Sequence, residues 1–405
     1  MIEAHDPRSV LVAGGGILGC LTALLLAEAG RSVTLIEQNV ELWCETSSVG
    51  EGKVHLGLVY ARGSAATRSS MLSGAVAFAP VIERALEQSV DWSALVGDPF
   101  DYLVMRDSQL RPDELAAVYR SLDDEHAALG RPPYLGMQID RLVARQPHTD
   151  ATGVPAFATT ERAVDPEALR ALVVAALAAR GDRITVATST RVEAVEHGDD
   201  SVTVRVSCTP AVGEKTLTAA AFVDARWHWQ GHGVQGFAVG PRNLRAKSAV
   251  MFDAGASART VTLVLGPFGD IVRRRSAVYA SWYPLARIAH EHRSFASIEL
   301  LAAVDAANAR RDVEAATAAQ RAALVELGLL SPDARALSVR TGVIVGDGAV
   351  DIHAPDSRLH DREGAGVTLV GRVALPRNFK LTTAPSAALA TAAAVDAMLR
   401  AEARS

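Results

Sequence analysis

Ser9-Val-Leu-Val-Ala-Gly-Gly-Gly-Ile-Leu-Gly-Cys-Leu-Thr-Ala-Leu-Leu-Leu-Ala-Glu-Ala-Gly-Arg-Ser-Val-Thr-Leu-Ile-Glu37 is the stretch on which the reading of this chain turns. Ser9 to Ala13 reads as a short apolar strand. Gly14 to Gly16 form a turn, and Ile17 to Ala29 reads as a helix stopped by Gly30. A second apolar strand, Ser32 to Ile36, runs into Glu37. Strand, glycine turn, helix, strand and acid fall within one unit of about 30 residues. Each part has a physical task. Gly14 permits the tight turn, Gly16 lets the backbone approach a pyrophosphate, and Gly19 lets the helix pack closely on the strand. The first-turn amides of Ile17, Leu18 and Gly19, at the positive end of the helix dipole, face phosphates. Glu37, with Gln38 next to it, stands where a carboxylate accepts a ribose hydroxyl. Three glycines near a strand can also be an ordinary tight loop, but the flanking strands, Ala23, Gly30 and the acid in register point to dinucleotide binding. Glu37 would repel a 2′-phosphate, which favours FAD or NAD over NADP.

The remaining composition narrows the class. A chain of 405 residues has room for two to three domains or one large two-part enzyme. With 49% apolar and 21% charged residues, dominant disorder is excluded. A net charge of −5 offers no basic field for nucleic acid or an anionic membrane. Cys20, Cys44 and Cys208 are odd in number and widely spaced, which argues against disulfides or structural zinc and suits a reducing, cytoplasmic setting. No signal peptide is expected, and Ile17–Ala29 is too short to span a bilayer.

No second glycine motif of this kind follows another strand, so electrons are expected to come directly from an organic substrate rather than from NAD(P)H. The next segment, Glu45-Thr-Ser-Ser-Val-Gly-Glu-Gly-Lys-Val-His-Leu-Gly-Leu-Val-Tyr60, is rich in Ser and Gly and then turns apolar. It could supply backbone and hydroxyl donors to a cofactor. Here the chain resembles the D-amino-acid oxidase/glycine oxidase superfamily of FAD-dependent oxidoreductases. The Ser-Ser…Gly-Lys-Val-His-x-Gly-Leu pattern looks most like the branch with glycerol-3-phosphate dehydrogenase and 2-hydroxyglutarate oxidase.

The resemblance implies an α/β fold: a Rossmann-like FAD-binding domain of glutathione-reductase type, interleaved with a mixed-sheet substrate domain. The expected FAD-binding parts are 1–80, 150–240 and 335–405; the substrate domain takes 81–149 and 241–334. In the family, a helix such as Pro166 to Arg180 precedes a three-stranded meander, here read at Ile184–Thr188, Arg191–Glu196 and Val202–Ser207. A backbone contact to adenine falls near Val192. Phe222–Ala225 resembles the strand returning to the nucleotide. Gly366–Gly371 reads as a strand, and Phe379-Lys-Leu-Thr-Thr-Ala-Pro-Ser386 leads into a long helix whose N-terminus would face the flavin. The implied cofactor contacts therefore extend to Ser47, Ser48, Lys53, Gly371, Phe379, Lys380, Leu381 and Thr382. Two departures stand out. Gly371-Arg-Val-Ala-Leu-Pro-Arg-Asn378 has one glycine where relatives have a glycine-rich hairpin. Arg226-Trp-His-Trp-Gln230 is bulkier than the usual Ala-Gly turn.

The activity implied is oxidation of a small polar amine or hydroxy substrate, with hydride transfer to flavin N5 and reoxidation by oxygen or another acceptor. A flavin-dependent monooxygenase is a competing reading, weakened because Gly371-Arg-Val lacks the usual Gly-Asp-Ala. A non-catalytic FAD-binding subunit is a third. His55 is the first catalytic candidate, as a general base, a hydrogen bond to the flavin or a covalent attachment point; it could equally be a histidine satisfied by backbone. Arg340 and Lys380 are candidate cations for reduced flavin or a substrate carboxylate, unless they are solvated surface charges. Tyr279 and Tyr283, alternating on one strand with Trp282 opposite, would line the substrate cavity or simply pack a sheet. No metal site is expected from His228, His232, His290 and His292.

Overall fold

The computed structural model describes residues 8–208, 213–253, 259–265, 269–350, 354, 357, 359, 361–362, 366–378 and 380–402. Ser9–Ala13 and Ser32–Ile36 are paired parallel strands, joined by the helix Ile17–Glu28. They stand inside a six-stranded sheet ordered Gly366–Val370, Val373–Arg377, Ala221–Asp224, Ser9–Ala13, Ser32–Ile36, Ile184–Ala187. All neighbours are parallel except the first edge strand. Strands covered on both faces read as near-continuous apolar runs, and residues 10–13 and 221–223 are wholly so. Val10, Val12, Val33 and Leu35 pack with the helix Ile17–Glu28 and the alanine-rich helix Ala384–Glu402. Leu11, Ala13 and Ile36 point the other way, onto Val192, Val202, Val204 and Val206.

Those four valines belong to a three-stranded antiparallel sheet of Thr190–His197, Val202–Cys208 and Glu214–Ala219. The expected meander is thereby corrected by one strand. Ile184–Ala187 does not start it; the helix Pro166–Ala179 returns the chain to the open edge of Ser32–Ile36, and Val33 pairs with Ile184 there. Glu214–Ala219 is the third meander strand instead. Alternating Ile-Thr-Val-Ala suits either partner, and the crossover helix decides it.

A nine-stranded sheet forms the other half of the molecule. Its longest strand, Arg242–Asp253, pairs with Ala277–Trp282, Arg287–Arg293 and Ala336–Gly346. Pro155–Ala158 and Ala336–Gly346, expected within the nucleotide-binding part, are strands of this sheet. Between Arg287–Arg293 and Ala336–Gly346 the chain forms two helices, Ile298–Asn308 and Val313–Glu326. Ser297 Oγ accepts the Leu300 N–H and Asp312 Oδ1 the Ala315 N–H, both at 3.0 Å, so each has its own cap. No helix among the described residues is long and apolar enough to cross a membrane.

Candidate active site

A cavity of about 590 Å³ lies between the two large sheets, a volume in the range of cofactor and ligand sites. Ala13, Ile36, Ala225 and Pro376 line it from the carboxyl ends of the parallel strands, and Lys247, Ala249, Tyr279 and Ile344 from the large sheet. Ligands of open parallel sheets bind outside these carboxyl ends.

One end is built from backbone. Gly14 has φ +106°, and a Cβ there would stand 2.5 Å from the Ala225 carbonyl oxygen. A Cβ on Gly19 would run into the Gly14 carbonyl oxygen. Only glycine lets the turn, the helix and the returning strand meet. Gly16, Ile17 and Leu18 line the cavity, and Ser47 Oγ accepts the Ile17 N–H at 3.1 Å, so this hydroxyl stands at the helix N-terminus. Glu37 is buried at the cavity wall; Oε2 accepts the Gly15 N–H at 2.6 Å and Oε1 accepts the Asn39 N–H at 2.8 Å. Burial pushes its carboxyl up. A carboxylate has about four lone-pair sites, so capacity remains for a ribose hydroxyl. Gln38 and Val192 also line this end. Ser48 is turned away, donating to the Glu45 carbonyl at 3.0 Å.

The bulky turn after Ala221–Asp224 also has a defined role. Asp224, wholly buried, pairs with Arg226 at 2.7 Å. Gln230 Nε2 donates to the carbonyls of Asp224 (2.8 Å) and Pro376 (2.5 Å), tying together the ends of two neighbouring parallel strands. Trp227, at φ +47°, is held by its indole N–H on the Val343 carbonyl at 2.8 Å, which joins this turn to the large sheet.

The other end is built from charged side chains. His55, buried, receives its place from its main-chain N–H, which donates to Thr382 Oγ1 at 2.7 Å. Its ring is edge-on to Tyr60 at 5.4 Å. Nε2 lies 3.8 Å from Glu51 Oε1, and Nδ1 lies 3.6 Å from Glu161 Oε1. Burial holds its pKa below the ordinary imidazole value, against the pull of Glu161, so the neutral ring dominates at neutral pH. Glu51, Lys247, Tyr279, Lys380 and Leu381 line the same end. Burial pushes the ammonium groups of Lys247 and Lys380 down, with Asp270 and Glu51 opposing it. Burial and Asp270 push the Glu51 carboxyl up, but Lys380, His55 and Lys53 bring it below its usual value.

Several expected site residues lie elsewhere. Arg340 is on the exposed side of Ala336–Gly346, in an ion pair of 3.0 Å with Glu167. Tyr283 begins a helical turn, Tyr283–Ala286, where strand alternation stops; Pro284 ends the strand, and the ring packs 5.7 Å from the Arg245 guanidinium. Gly371 sits in the turn at the amino end of Val373–Arg377, opposite the carboxyl end that faces the cavity, with φ +54° and His197 packed on it. It is not among the cavity-lining residues. Lys53 reaches the wall, but its side chain is wholly buried and turned into the large sheet, where Nζ donates to Thr262 Oγ1 and, at 2.5 Å, to Asp270 Oδ1. Phe379 lies outside the described residues. Thr382 acts through His55 rather than on the wall. Sequence reading missed Lys247, Glu51, Glu161 and Asp270. A lysine inside the strand-forming Arg245-Ala-Lys-Ser-Ala-Val250 was the one available signal; the placement of the three acids has no local pattern.

Known proteins bear on this geometry. Residues 9–249 match the profile of the DAO family, described as FAD dependent oxidoreductase. Glycerol 3-phosphate oxidase of Mycoplasma pneumoniae is 42% identical over 53 residues, a match covering 13% of this chain and 14% of that protein. Among solved structures, L-amino acid deaminase from Proteus myxofaciens superimposes with a TM-score of 0.63 at 15% identity, covering 98% of this chain and 92% of that one. Glycine oxidase from Geobacillus kaustophilus does so with a TM-score of 0.58 at 16% identity, covering 96% and 95%. L-alpha-glycerophosphate oxidase from Mycoplasma pneumoniae, with FAD bound, gives 0.57 at 15% identity, covering 97% and 94%. The chain belongs to the DAO family of FAD-dependent oxidoreductases, and FAD is its cofactor. The cavity fits that group: a glycine cradle that a Cβ would fill, an acid at the ribose position and cations at the far end.

Proposed function

We propose that this protein oxidises a small polar amine or hydroxy compound that carries an acidic group, with oxygen or another acceptor taking the electrons onward. The observation that carries this reading is the convergence of His55, Glu51, Lys247, Lys380 and Tyr279 on one end of a cavity whose other end is the glycine cradle. Bound FAD supplies the hydride acceptor. Around it, Gly14, Gly16, Ile17, Leu18 and Ser47 would cradle the phosphates, with Gly19 keeping the helix against the turn; Glu37 would hold the ribose, and Gln38 and Val192 would flank them. Lys247 and Lys380 hold the acidic group of the substrate by charge-assisted hydrogen bonds. Neutral His55 accepts the proton released from the substrate O–H or N–H, and Glu51 stabilises the imidazolium that forms. Tyr279 closes the cavity wall against water. The proteins similar to this one are named for L-amino acids, glycine and glycerol 3-phosphate, all small and acid-bearing. The same reading divides the chain by sheet: nucleotide-binding around the parallel sheet, substrate-holding around the nine-stranded one.

The test is anaerobic mixing of the purified holoprotein with a panel of amino acids, amines, 2-hydroxy acids, polyols and their phosphates. Bleaching of the visible flavin band by an acid-bearing member is the expected result. A protein that takes up no FAD, or is bleached by none of the panel, would overturn the proposal.

A further inference from the structure

Behind the cavity wall lies a second set of charges that the proposed reaction does not use directly. Glu161 has no solvent exposure. Its Oε2 accepts the Leu56 N–H at 2.6 Å, and its Oε1 accepts the Tyr102 hydroxyl. The same Oε1 lies 3.6 Å from His55 Nδ1 and 4.0 Å from Lys53 Nζ. Lys53 is fixed in turn by Thr262, by Asp270 and by the face of Phe100, whose centroid is 4.1 Å away. A carboxylate wholly buried beside a cation and two donors stays ionised. Burial alone would push Glu161 up, yet His55, Lys53 and Tyr102 together bring it below the ordinary carboxylate value.

We propose that Glu161 is a positioning residue for His55, holding its Nδ1–H toward the interior so that Nε2 turns its lone pair to the cavity. This rests on the reading of His55 as proton acceptor. An ionised carboxylate only accepts hydrogen bonds, so an Nδ1 lone pair aimed at Glu161 would be repelled and an Nδ1–H attracted. The 3.6 Å between Nδ1 and Glu161 Oε1 is an electrostatic contact rather than a formed hydrogen bond, and it closes to one by a small rotation of the ring. On the cavity side, Nε2 lies 3.8 Å from Glu51, a carboxylate that is farther, partly exposed and shared with Lys380 and Lys53, so the nearer and wholly buried Glu161 sets the tautomer and Nε2 is the ring nitrogen turned to the cavity. The proton leaves the substrate O–H or N–H, bonds to Nε2, and the resulting positive charge stands between two carboxylates. The motif has the logic of a carboxylate that fixes a histidine's tautomer.

The charged and titratable groups facing His55 are Glu51, Lys53, Tyr60, Glu161 and Lys380. Of these, Glu161 raises its pKa, while Lys380 and Lys53 lower it. The test is long-range ¹H–¹⁵N spectroscopy of histidine-labelled holoprotein across pH, with His55→Gln assigning the signals. The wild type is expected as the Nδ1–H tautomer. Glu161→Gln moves the His55 titration down by about 1 pH unit, and Tyr102→Phe, which leaves Glu161 a stronger acceptor, moves it up by less. Glu161→Asp restores the tautomer. A wild-type Nε2–H tautomer, or an unmoved titration in Glu161→Gln, overturns the proposal. Should Glu161→Gln fail to fold, Tyr102→Phe decides: no upward shift overturns it. Failure of every panel compound to bleach the flavin would sink the oxidation reading and leave the tautomer result standing.

Discussion

The two ends of the cavity are made of different materials. The cradle at the parallel sheet is backbone: a glycine at positive φ, another with no room for a Cβ, and a helix end. The far end is side chain: Glu51, His55, Lys247 and Lys380 on the wall, with Lys53, Glu161 and Asp270 behind it. Backbone recognition requires residues close in sequence, because only consecutive peptide groups can form a turn and a helix end. Side-chain recognition can collect residues from anywhere, and here it spans Glu51 to Lys380. At Gly14 and Gly19 the cradle has no room for an added Cβ, and the far end is balanced by opposed charges.

The severest way to break this contrast is to put a side chain into the cradle. Gly19→Val is expected to abolish FAD uptake, read as a flavin-to-protein ratio near zero; a variant that keeps bound FAD would show that the helix need not approach the strand. Next comes Lys53→Met, which takes from the wholly buried Glu161 and the partly buried Asp270 the cation they share and should destabilise the fold by about 3–5 kcal/mol at neutral pH in denaturant titration. Burial pushes the Asp270 carboxyl up, but Lys53 and Lys247 bring it from an ordinary 3.8 to about 2. A depressed folded-state value stabilises above 3.8 and is lost as pH falls toward 2. The difference between wild type and variant is therefore full above pH 4 or so and should narrow in acid; a gap that widens in acid would contradict the charge network.

His55→Ala, at the interface of the two materials, should lower kcat by about 100-fold or more with FAD retained, measured on whichever panel compound bleaches the wild type. An unchanged kcat would remove His55 from the chemistry. The smallest effect is expected at Arg340. Its exposed pair with Glu167 contributes little, so Arg340→Ala should stay within about 0.5 kcal/mol in stability and leave turnover unchanged.

This same contrast explains what could be read in advance. Gly14, Gly16, Gly19 and Glu37 lie within 24 residues, and their spacing alone implied the nucleotide cradle, its helix and its two strands. His55 and Lys380 were reached through likeness to known sequences rather than through spacing. Lys53 was assigned to the cofactor because it sits in the same loop as His55; strand alternation through Lys53 and Val54, and the partner Asp270 more than 200 residues away, turn it into the protein. Tyr283 was misplaced because Tyr279-Ala-Ser-Trp-Tyr alternates perfectly until Pro284 stops the strand. Arg340 could not be told from a wall residue, since which face of Ala336–Gly346 meets the cavity depends on its pairing with Arg242–Asp253. Glu161 carries no local mark at all: its importance lies in having no water.

The hydrogen bond from the His55 main chain to Thr382 joins positions 327 residues apart. The strand Val373–Arg377 completes the parallel sheet beside Ala221–Asp224, and Asp396 of the last helix clasps Arg31 at 2.7 Å. The residues of the glycine turn do not by themselves finish the room into which that turn opens. Removing the segment that carries Thr382 would leave the glycine turn in place and take away the hydroxyl from which His55 hangs.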